Sequence, residues 1–189
     1  MNWNSRPDTI ACCNDGYGAV CAGERVARLV HSNISKTRND PFKRSDIFNS
    51  DHKPFTNACG EADGLSVVRS TVLTDVEIVS RSIAQAIRVS GRAAMPTLFA
   101  PVALLRSIEA PGRNGDQVVF IYDDPRPDDQ FHAILRGDHS LDRSDQSYVR
   151  DLIRDLFLPV SEATIESGTI TPIFEMTECR VCQERYDKG

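Results

Sequence analysis

Hydrophobic positions in this chain fall into short runs separated by polar stretches rich in Gly and Pro, a pattern of small strands and amphipathic helices. The strongest run is Val118-Val119-Phe120-Ile121-Tyr122, five β-branched, aromatic or aliphatic residues that suit a pleated surface and predict a core strand. Asp123-Asp124-Pro125-Arg126-Pro127-Asp128-Asp129 follows, where two prolines lack a backbone donor and the carboxylates bond local amides, so regular structure stops and the chain turns. His132-Ala133-Ile134-Leu135 resumes an extended pattern that Gly137 ends.

Upstream, Glu24 to His31 alternates in period two and predicts a strand with one buried face. Leu65 to Ser70, opened by Asp63-Gly64, predicts another. Thr74-Asp75-Val76-Glu77 is a capping box, and Val76, Val79, Ile83 and Ile87 recur at helical spacing up to Gly91, so a helix is predicted with that stripe as its apolar face. Leu98 to Ile108, centred on Val102 to Leu105, reads as a strand, and the turn chemistry of residues 111–116 predicts a hairpin between it and Val118 to Tyr122. Ser144 to Phe157 predicts a second helix, capped by Asp142 or Ser144, striped by Val149, Leu152, Ile153 and Leu156 and stopped by Pro159. Gly168 to Phe174 contains Pro172 and reads as an edge strand.

These elements predict one α+β domain, a mostly antiparallel sheet of about four to five strands with two main helices. It spans residues 24–175, with an irregular arm at 1–23 and a polar tail at 176–189. A long loop at 32–62 is anchored by Ile34, Phe42, Ile47, Phe48 and Phe55, with room for one helical turn.

Composition narrows the function classes. A net charge of −5 argues against unaided nonspecific binding to nucleic acid or an anionic membrane. The exception is the basic region 25–44, where Arg25, Arg28, Lys36, Arg38, Lys43 and Arg44 sit among aromatics, the only place suited to nucleic-acid contact. No apolar run approaches the roughly 18 residues of a membrane span. The start lacks the pattern of a secretory signal, so the cytoplasm is the expected compartment and the six cysteines are expected as reduced thiols.

Two stretches carry a likeness: Arg28-Leu29-Val30-His31-Ser32, leading through Ile47-Phe48-Asn49-Ser50 and Lys53-Pro54 into Asp63-Gly64-Leu65-Ser66-Val67-Val68-Arg69, and the later Asp128-Asp129-Gln130-Phe131-His132-Ala133-Ile134. Together they resemble small bacterial proteins, without an established activity, that pair a DGLSV-x-R segment with a later HA-x-I segment. The resemblance implies a bacterial, cytosolic protein, associated with phage-defence or mobile-element loci, and it supplies no catalytic residues.

The sharpest chemical candidate is the acidic loop with His132: Asp128, Asp129 and His132, with His139 if the strand folds back, have the side chains to hold a divalent cation and activate water. The plainer reading makes the aspartates turn formers. Cys179-x-x-Cys182 has zinc-knuckle spacing, and Cys12, Cys13 or Cys21 are the thiols that would complete such a site, although no second knuckle exists and no cofactor is the expectation. Arg69 is a candidate anchor for an anion, or else half of an internal ion pair. The chain has neither a Gly-x-x-x-x-Gly-Lys phosphate loop nor a Gly-x-Ser-x-Gly elbow, so conventional serine-hydrolase chemistry has no motif to support it. The function expected is a non-enzymatic accessory subunit that engages a larger protein partner through Phe48, Phe55 and their loop. The alternative is a metal-dependent hydrolase or nuclease centred on His132.

Overall fold

The stretch of aspartates and prolines reverses the chain into a hairpin, and the sheet is built outward from it. The computed structural model describes residues 8–9, 18–30, 41–49, 63–70, 73–90 and 97–159, with the backbone alone for 85–90. In chain order the elements are β1 (Arg25–Arg28), α1 (Arg44–Ile47), β2 (Leu65–Arg69), α2 (Asp75–Ser90), β3 (Leu98–Pro101), α3 (Val102–Arg106), β4 (Val119–Asp123), β5 (His132–Gly137), α4 (Arg143–Leu156) and β6 (Leu158–Pro159). The strands form one antiparallel sheet in the order β4-β5-β2-β1-β3-β6, one strand more than expected, because Leu158-Pro159 adds a short edge beside β3.

The two faces of the sheet differ. Val26, Leu65, Val67, Ala100, Val119, Ile121, Ala133 and Leu135 belong to the main core, together with Val149 and Ile153 of α4 and Val102 and Leu105 of α3. Residues that alternate with them, Ala27, Val68 and Phe99, belong to a smaller cluster with Ile78 of α2. Period-two alternation therefore assigns Ser66 to the face of Val68, opposite the main core. The register pairs Ser66 with Ile134 and Val68 with His132, so Ser66 and His132 are diagonal neighbours across β2 and β5.

Two predicted features come out differently. Val102 to Arg106 is helical: Pro101 takes the extended N-cap position, and Val102 and Leu105 are buried three residues apart, a helical spacing. The predicted hairpin between this segment and β4 is accordingly absent, β3 and β4 lie far apart in the sheet, and the hairpin partner of β4 is β5. On α2 the predicted apolar stripe also shifts. Val76 and Ile83 are 42% and 47% exposed, while Asp75, Ile78 and Ser82 are buried, so the helix turns a face of mixed polarity to the sheet.

The long loop places its aromatics inward where it is described. Phe42 packs against Phe157 with ring centroids 4.9 Å apart, Phe48 is 6% exposed, and Arg44 Nη1 donates to Gln146 Oε1 on α4 at 3.2 Å. The Phe48 ring occupies the space beside the Cα of Gly137, which ends β5. Phe55, the edge strand at 168–174 and the Cys-x-x-Cys tail lie outside the described residues.

Gly137→Ala places a methyl group inside the Phe48 ring, and unlike a surface Gly→Ala change it is expected to destabilise by about 2 kcal/mol or more, read from the urea midpoint. The capping box at α2 forms as its sequence predicts, with Glu77 Oε2 accepting from Thr74 N at 2.7 Å and Thr74 Oγ1 accepting from Glu77 N at 3.3 Å. These bonds hold the Glu77 carboxyl below its ordinary range. Its contribution is thus present above the unfolded-state value and lost as pH falls through the folded one, and Glu77→Gln should flatten that part of the acid limb of a stability-versus-pH curve. Thr74→Ala is expected to cost about 1 kcal/mol at neutral pH by urea denaturation.

Candidate active site

Ser66, His132 and Asp124 come from three places that the hairpin and the β2–β5 register bring together. Ser66 is the second residue of β2, His132 opens β5, and Asp124 directly follows β4. Ser66 Oγ lies 2.6 Å from His132 Nε2. On the other side of the ring, His132 Nδ1 lies 3.1 Å from Asp124 Oδ2 and 3.0 Å from the Asp124 carbonyl oxygen. The hairpin closes over this pair through the Asp124 amide, which donates to the carbonyl of His132 at 3.1 Å.

This geometry fixes the proton on the ring. Two oxygens face Nδ1 and both are acceptors when Asp124 is ionised, so the neutral imidazole carries its hydrogen there. Nε2 then presents a lone pair, and the Ser66 hydroxyl donates to it. Asp124 is fully buried and His132 is 4% exposed, so the ring has little freedom to rotate away. Arg126 Nη2 approaches the same Asp124 oxygen at 3.4 Å and supplies a cation beside it. A second cation, Arg136, is fully buried; burial pushes its guanidinium below the ordinary range, and the neighbouring Tyr122, Asp63 and Asp124 oppose that shift.

The relay borders a cleft of about 590 Å³ lined by β-strand residues Arg28, Ser66, Val68 and His132, by Arg81 of α2 and by the hairpin loop residues Arg126, Asp128 and Asp129. Arg81 stacks over the Phe131 ring at 4.8 Å and reaches Asp129 Oδ1 at 3.7 Å. Arg28 Nη1 donates to the Ser66 carbonyl at 2.7 Å, which ties the end of β1 to the strand that carries the hydroxyl. Burial pushes the Arg28 guanidinium below its ordinary range, and Asp46 offsets this only in part.

Of the residues singled out from sequence, His132, Asp128 and Asp129 meet at this cleft, whereas His139 does not line it. Asp129 is engaged in the turn itself, accepting from the Phe131 amide at 3.0 Å. Among the described residues no group of three or more His, Cys, Asp or Glu converges as a metal site would. Cys21 is disulfide-bonded, which departs from the expected set of six reduced thiols and leaves its sulfur without the thiolate that zinc requires. Cys12, Cys179 and Cys182 lie outside the described residues.

Arg69 takes the internal role. Its Nη2 and Nε donate to Glu24 Oε1 at 2.6 Å and Oε2 at 3.0 Å, and it also donates to the carbonyls of Gly18 and Ala19. Both side chains are buried, so its planar fork is spent on fastening the segment before β1 to β2. Phe48 lies in the main core.

Ser66 and Asp124 were missed as a pair. The missing Gly-x-Ser-x-Gly elbow hides the serine, since here it stands on a strand and not on a strand-to-helix turn. The available signal was the alternation of Leu65-Ser66-Val67, which puts a lone hydroxyl on the face away from the main core. A scan of family models, a search of curated proteins and a search of solved structures each returned no match to this chain.

Arg69→Met leaves the Glu24 carboxylate buried without its partner and is expected to cost about 3–5 kcal/mol, measured by urea denaturation. Adding Glu24→Leu should recover much of that loss, because the orphaned charge is then gone.

Proposed function

We propose that the protein is a hydrolase that forms a covalent intermediate on Ser66, with His132 as the general base and acid and Asp124 as the group that orients the imidazole. The observation that carries this reading is the 2.6 Å contact between the Ser66 hydroxyl and a histidine nitrogen whose opposite nitrogen is held by a buried carboxylate, all beside a cleft. A hydroxyl is a weak nucleophile until a base takes its proton as it attacks, and a base held in one tautomer is what this arrangement supplies.

In the reaction, Ser66 Oγ attacks the carbonyl carbon of an ester or amide while its proton passes to His132 Nε2. The guanidinium groups in the cleft offer positive charge to the oxyanion that develops. The leaving alcohol or amine takes the proton from Nε2, and the acyl group remains on Ser66. Water then gives a proton to Nε2, its oxygen attacks the acyl carbon, and Ser66 departs with that proton restored.

The metal-dependent alternative asks His132 for a lone pair it has already committed. Nε2 holds Ser66 and Nδ1 holds Asp124, so a cation would have to break the relay. The accessory-subunit reading relied on loop aromatics offered to a partner, and Phe42 and Phe48 instead support the core. As for compartment, no helix among the described residues is long and apolar enough to cross a membrane.

The test is covalent labelling with a fluorophosphonate, which reacts with activated serines. Wild-type protein should gain one adduct, mapped by peptide mass spectrometry to Ser66, and His132→Gln should slow labelling by about 100-fold or more under conditions where circular dichroism shows the variant folded. A folded wild-type protein in which Ser66 stays unlabelled, or a His132→Gln variant labelled as fast as wild type, overturns the proposal.

A further inference from the structure

No carboxylate among the described residues stands at ion-pair distance from Arg28, and Asp46 acts on it only from further off. Arg28 lines the cleft beside Ser66, spends one donor on the Ser66 carbonyl, and forms no ion pair among the described residues. Its Nε is buried with no acceptor, and the same holds for Nε of Arg126 across the cleft lining. A guanidinium withdrawn from water normally meets a carboxylate or a set of carbonyls, because an uncompensated buried cation is costly. Arg69 in this same protein shows the ordinary solution, with two bonds to Glu24 and two carbonyls besides.

The other charges of the cleft do not fill the gap. Asp129 faces Arg81 at 3.7 Å and accepts from the Phe131 amide, and Asp124 is shared between His132 and Arg126. Asp128 is exposed, where solvent screens it. Once these pairs are set against each other, Arg28 is the cleft cation that no carboxylate meets at ion-pair distance among the described residues.

We infer that the substrate presents an oxyanion, a carboxylate or a phosphate, to Arg28 beside the bond that Ser66 attacks, with Arg126 as the second cation of the clamp. This rests on the reading of Ser66 as nucleophile, and it adds the substrate class. A planar guanidinium fork matches either oxyanion bidentately, and the bond from Arg28 to the Ser66 carbonyl fixes the distance between the anion subsite and the reacting hydroxyl. The cleft volume of about 590 Å³ suits a small molecule or the end of a chain, not a broad macromolecular surface.

The experiment separates binding from chemistry. Inorganic phosphate and acetate are titrated separately into the full-length protein by calorimetry, and each is then tested for protection of Ser66 against fluorophosphonate. At least one anion should bind and slow labelling, and whichever binds tells a phosphate-bearing from a carboxylate-bearing substrate. Arg28→Gln should weaken that binding by roughly tenfold or more, Arg28→Lys should weaken it less, and Arg113→Gln, on an exposed turn, should leave it unchanged. Labelling of Ser66 with neither anion bound, or equal losses in the Arg28 and Arg113 variants, overturns this inference and spares the hydrolase proposal. Anion binding that depends on Arg28 without labelling of Ser66 does the reverse.

Discussion

The pairing of β2 with β5 is the constraint on which everything else in the molecule depends. Its register decides at once which residues enter the main core and which side chains meet on the other face. Because side chains alternate strictly, a slip of one residue would turn Leu65 and Val67 out of the core and send Ser66 into it. Burial of the apolar partners thus enforces the alignment of the polar ones, and the diagonal approach of Ser66 to His132 is a by-product of hydrophobic registration.

The hairpin loop shows how one segment meets two demands. Its prolines and aspartates reverse the chain, with the Arg126 and Asp129 backbones paired across the turn, as expected for such a composition. Asp124 stands at the point where β4 ends and the turn begins, so its carboxylate reaches back to His132 on the returning strand. Turn formation and the orientation of a histidine are therefore properties of the same residues, and choosing between a structural and a chemical role for the loop divides what the fold unites.

Much of the fold was legible because it follows from local rules. The α2 cap and the α4 helix with Asp142 at its N-cap are written in capping residues, and β2, β4 and β5 in β-branched runs. The segment after Pro101 was not, since Val102-Ala103-Leu104-Leu105 is apolar enough for a strand and only its packing against β4 and α4 selects one turn of helix. The inward face of α2 was hidden for a related reason. Val76 and Ile83 looked like core residues, but tertiary packing buries Asp75, beside Arg25 at 2.6 Å, along with Ile78. His132 and the acidic loop were visible as chemistry, whereas Ser66 and Arg28 gain meaning only when β1, β2 and β5 lie side by side.

A residue that does not line the cleft bears on how copies of this protein meet. β4 forms one border of the sheet, and such a border ordinarily exposes main-chain donors to any extended peptide that drifts against it. Asp8 has already occupied that position: its buried carboxylate accepts from the Ile121 amide at 3.0 Å and from Arg106 Nε at 2.9 Å. Asp8 thus acts as a stopper on the open margin, and losing its carboxylate would free a sticky rim and invite edge-to-edge self-association.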